Sequence, residues 1–110
     1  MRILLAIQRL FGIHDLYHTA QLTADRCAGH VWERIQNRIM GMDINEARGY
    51  IRSRATLVVV QKLSEDTSVR LLSERQQQQL KQMTLQAVVE KALLHRDTIG
   101  IEAVVIHRAA

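Results

Sequence analysis

"MDINEARGYIRSRATLVVVQKLSEDTS", residues 42–68, is the stretch whose reading decides the fold. Its first half reads as a helix start. Asp43 is a good N-cap, and Glu46 three residues later can reach back in a capping box. Ile44, Ala47, Ile51, Ala55 and Val58 then recur at helical spacing. The second half argues the other way, because Leu57 is followed by Val58, Val59 and Val60, three adjacent β-branched residues that favour a strand. We read residues 44–63 as one helix, since both the cap and the stripe lead into the valines. The alternative is an α+β fold with a small hairpin from 57–61 and 102–107. Residues 64–68, SEDTS, are short, polar and rich in turn formers, and read as a loop.

Working outward from this segment, the rest of the chain favours helix. There is no proline among 110 residues, which removes the main helix breaker. Phe11, Tyr17, Trp32 and Tyr50 are the only aromatics, so a core must be built from Leu, Ile, Val, Ala and Met. A helical bundle accepts such a core more readily than a small sandwich or barrel. Residues 16–40 carry an inner stripe of Leu16, Ala20, Ala24, Cys27, Val31 and Ile35, with Trp32 and Ile39 at its edges and Gly41 as a stop. Residues 2–11 form a short amphipathic helix, with Ile3, Leu4, Ile7, Leu10 and Phe11 on one side and Gly12 at its end. Ser73 and Gln76 make a second capping pair, opening a helix over 74–96. The C-terminal half of that helix is apolar around more than one face, as expected of an element central in a bundle or shared between subunits. The tail after Gly100, IEAVVIHRAA, is ambiguous between helix and strand. The expectation is an all-α bundle of four helices in a single domain, 1–110.

Composition narrows the function classes. Apolar residues at 47% and charged residues at 24% suit a globular domain. The single Cys27 excludes an intramolecular disulfide framework and fits a reducing compartment, where we read it as a small core residue. Gln8 and Arg9 interrupt the apolar start, so it does not read as a signal peptide, and a cytoplasmic location without membrane association is the expectation. Net charge is +4, with twelve Arg against three Lys. Arginine suits phosphate and carboxylate recognition, although eleven acids are interspersed.

Three constellations could carry function. His14 and His18, in HDLYH, have the spacing of a metal-ligand pair if they lie on one helix. The acid after the first histidine parallels the H-E-x-x-H zinc motif, but Asp15 is one methylene shorter and a third ligand is not specified. The preferred reading makes Gly12 a stop and Asp15 an N-cap, which leaves His14 outside the helix and no cofactor bound. A basic ridge, Arg26, His30, Arg34 and Arg38, steps by four along the second helix, and Arg48, Arg52 and Arg54 cluster on the third. From these we select Arg34, Arg38, Arg48 and Arg52 as candidate nucleic-acid contacts. Leu85, Val89, Leu93 and Val105 are candidates for a surface shared with a second copy or another protein. No nucleophile elbow or glycine-rich phosphate loop is present. The leading expectation is a non-enzymatic interaction module that dimerises, and the alternative is a small Arg-rich nucleic-acid-binding protein.

Overall fold

The computed structural model describes residues 13–109, with side chains described from 15 to 101. The expected helix over 2–11 lies outside the described residues. Helix α1 spans Ile13–Ile39, α2 Ile44–Ser64, α3 Thr67–Arg70 and α4 Glu74–Ala109. Three long helices therefore pack with one short turn of helix between the last two, and no strand occurs among the described residues. The fold is all-α.

The valines of α2 are helical. Its buried residues are Ala47, Ile51, Ala55, Val59 and Leu63, each four residues after the last. Ile44 is exposed and Val58 only half-buried. The stripe thus advances in steps of four, and it reaches Val59 where a mixed three-and-four spacing leads to Val58. The β-branched run is accepted because one face of it meets the core, and tertiary burial outweighs a propensity difference of a few tenths of a kcal/mol per residue.

Caps fix where the helices begin. The Asp43 carboxylate accepts the Glu46 backbone N–H at 2.9 Å. Ser73 and Gln76 make the full reciprocal box, each backbone N–H donating to the other's side-chain oxygen at 3.1 Å. Asp66 caps α3 by accepting the Ser68 backbone N–H at 2.9 Å. Helix α1 ends at Ile39, and the Met42 N–H bonds the Ile39 carbonyl at 3.2 Å. Gly41 follows the stop without a positive φ, so its role there is not a left-handed cap.

Helix α4 departs most from expectation. It continues through Arg96 and Gly100 to Ala109, so the tail is helical and the hairpin of 57–61 with 102–107 does not form. At 36 residues α4 is about 54 Å long, against about 32 Å for the 21 residues of α2. Gly100 is tolerated because nothing approaches its missing Cβ and it needs no special φ.

The four-residue turn between them makes α1 and α2 antiparallel. Arg48 meets Glu90 while Val60 and Leu63 lie beside Gln77 and Lys81, so α4 runs antiparallel to α2. Leu16 sits against Gln79 and Met83, Asp25 pairs with Lys91, and Trp32 meets His95, so α4 runs parallel to α1. The α1 stripe from Leu16 to Ile35 is buried throughout, joined by Ile39. On α4 the core takes Leu80, Thr84, Leu85, Ala87, Val88, Val89, Ala92 and Leu93, covering faces turned to both neighbours. Thr84 is fully buried at no polar cost, because its hydroxyl donates to the Leu80 carbonyl at 2.7 Å.

Candidate functional site

Each long helix has a buried stripe with two edges, and the neighbour on each edge decides what its charges meet. On α2, Arg48 and Arg52 lie on the edge turned to α4. Arg48 Nη1 reaches Glu90 Oε1 at 2.6 Å, and Arg52 hydrogen-bonds the Gln82 side-chain oxygen. Gln86 donates to the same Glu90 oxygen at 3.0 Å. These two arginines therefore brace the α2–α4 seam.

Tyr50, Arg54, Val58 and Lys62 occupy the opposite edge of α2, turned to α1. The Arg54 guanidinium carbon lies 5.2 Å from the centre of the Tyr50 ring. On α1 the facing edge carries Arg26, His30, Arg34 and Arg38, all exposed. Arg26 shares a depression of about 380 Å³ with Thr23, Lys62, Glu65, Asp66 and Thr67, which places the Lys62 end of that edge beside α1. Of the expected set, then, Arg34 and Arg38 lie on one face, and Arg48 and Arg52 lie on another. Arg54, Lys62 and Arg26 are the cations that accompany Arg34 and Arg38.

The acids near this face sit mainly at its ends. Glu65 is 3.9 Å from Lys62, and Asp66 is occupied by the Ser68 N–H and hydroxyl at 2.9 and 2.6 Å. That pair of bonds holds the Asp66 carboxyl below its ordinary range, the hydroxyl contributing most. At the other end Asp43 and Glu46 engage each other, which lowers Asp43 and raises Glu46. Glu33 is exposed on α1, one turn from His30 of the basic row. The described residues form four ion pairs, and Arg26, Arg34, Arg38 and Arg54 belong to none of them.

Ile13 and His14 are already helical, so Asp15 lies within α1 and is not its N-cap. His14 and His18 stand four apart on this helix, which is the spacing a metal pair needs, although the His14 side chain lies outside the described residues. Among the described side chains, which include His18, no three His, Cys, Asp or Glu groups converge. Cys27 is buried in the core, and burial pushes its thiol up, partly offset by Lys62.

Of the expected contact surface, Leu85, Val89 and Leu93 are buried within the bundle, at 2–4% exposure. Filling the monomer's own core removes them as a contact surface, and the Val105 side chain lies outside the described residues. Among the described side chains of α4, the exposed large apolar ones are instead Leu94 and Ile101, 69% and 65% exposed. Leu94 follows Leu93 in one apolar run, and only the direction of drift of the stripe separates the two.

No known protein family, curated protein or solved structure matches the chain. Among the described residues, no helix is long and apolar enough to cross a membrane. The class defined here is an all-α helical bundle with a basic α1–α2 face and an apolar outward line on α4.

Proposed function

We propose that the chain is a non-enzymatic protein-interaction module that pairs with a second copy of itself along the outward line of α4. One observation carries this reading: Leu94 and Ile101, two turns apart on α4, are large apolar side chains left 69% and 65% exposed by the bundle. Thr98 lies between them, and its hydroxyl donates to the Leu94 carbonyl at 2.9 Å. With its polar group satisfied inside the helix, Thr98 leaves its methyl to the outer surface. Position 105 is the next on this line of the same helix. Burying a large apolar side chain contributes about 1.5–3 kcal/mol, so two such residues from each copy are a substantial drive to associate. A cytoplasmic setting belongs to the same reading, supported by the lone free thiol of Cys27.

The test is oligomeric state by light scattering across a range of concentrations. A dimer is expected for the unaltered chain, and a monomer of unchanged helicity for Leu94→Glu and Ile101→Glu. A clean monomer at high concentration, or a dimer that both variants keep, removes the reading.

A further inference from the structure

We propose that the α1–α2 face binds the phosphate backbone of nucleic acid, through Arg26, Arg34, Arg38, Arg54 and Lys62. Arg48 and Arg52 have no part in it. The site is independent of self-association, since it lies on the two helices that the outward line of α4 does not touch.

Spacing and chemistry together favour this ligand. The cationic positions of α1 recur every four residues, a step of about 6 Å, and span about 18 Å from Arg26 to Arg38. Arg54 and Lys62 on the facing edge of the antiparallel helix add a second row beside the first. A linear anion with regularly repeated charges can meet both rows, whereas a single carboxylate or phosphate meets one or two members. Four of the five cations are arginines, whose planar fork matches phosphate oxygens. None of those four belongs to an ion pair among the described residues, while the charge of Arg26 also acts on Asp66. The Tyr50 ring holds the Arg54 guanidinium in place, so less freedom is lost when that group meets a phosphate. His30 lies in the same row. The face offers one aromatic ring, half-buried, so the recognition is of backbone and not of base sequence.

The experiment is fluorescence anisotropy with a labelled 20-base-pair duplex and the corresponding single strand, over salt from about 50 to 200 mM. Binding is expected at the low end, with log K falling linearly against log salt at a slope of about −4.5 for five contacts on the duplex. Arg34→Ala, Arg38→Ala and Arg54→Ala each reduce that slope by about 1. Arg48→Ala and Arg52→Ala leave it unchanged, and circular dichroism checks that every variant stays folded. Absence of binding to both nucleic acids at about 50 mM salt overturns the proposal. So does an equal loss in the Arg48 and Arg52 variants. Capture by anionic phosphatidylserine vesicles without binding to either nucleic acid assigns the face to a lipid surface and also overturns it.

Discussion

The guanidinium of Arg48 and the carboxylate of Glu90 meet at 2.6 Å across 42 residues of sequence, closing the seam between α2 and α4. Both side chains remain about half exposed, at 44% and 51%, so water and salt screen the attraction. A double-mutant cycle with Arg48→Ala and Glu90→Ala should give a coupling below about 1 kcal/mol, smaller still at high salt. Urea denaturation measures it. A coupling of several kcal/mol would show that the pair holds the helices together, where we assign that work to the apolar seam beneath.

Burial along α2 makes a sharper prediction, because it separates helix from strand residue by residue. Ile51 is fully buried and Leu57 is 73% exposed. Ile51→Ala should cost about 2–5 kcal/mol, as large-to-small changes in a packed core do. Leu57→Ala should lie within about 0.5 kcal/mol of the unaltered protein. Comparable losses at both positions would contradict the helix through the valines.

Acid stability follows from the caps. Asp66, held by the Ser68 hydroxyl and backbone, and Asp43, held by the Glu46 backbone N–H, both have lowered pKa values. A carboxyl whose folded pKa is lowered contributes stability that is present above its unfolded pKa and lost as pH falls through the folded one. Glu46 has the opposite sign. The hydrogen bond and charge of Asp43 raise its pKa, so ionising it opposes folding as pH rises. Thermal midpoints from about pH 2 to 7 should therefore show a flatter acid limb for Asp66→Asn and Asp43→Asn. Glu46→Gln should be at least as stable as the unaltered protein near neutrality, like the Ser73–Gln76 box already present. Acid limbs parallel to that of the unaltered chain would remove this account.

The features read correctly from sequence are those set within a few residues. Asp43, Ser73 and Gln76 announce helix starts because their side chains bond backbone groups two or three positions away. The stripe of α1 was legible for a similar reason, since one long helix with one buried face repeats its pattern seven times. Other features depend on which neighbour lies on which edge, and an isolated helix does not carry that information. Arg48 and Arg54 look alike on a helical projection, yet one faces Glu90 and the other Tyr50. Leu93 and Leu94 are adjacent apolar residues, and only the packed bundle puts one inside and the other out. The run of α4 past Gly100 was ambiguous because glycine and valines are each poor helix formers, and a helix already nucleated over 74–96 extends through them at little further cost.

The strict four-residue stripe of α2 works like a toothed rack. Sliding it by one turn would present the same kind of apolar line to its neighbours, so uniform teeth would let the bundle settle in more than one alignment. The teeth are not uniform: Ala47, Ile51, Ala55 and Val59 alternate short and long, and all are fully buried. A shift of one turn would push Ile51 into the space of an alanine and leave an alanine where isoleucine had filled the core, costing overlap at one point and a void at the next. Only a shift of two turns restores the alternation, and it would carry Arg48 about 12 Å away from Glu90. Two alanines in α2 thus hold it to one alignment with its neighbours, set by the smallest side chains of the stripe.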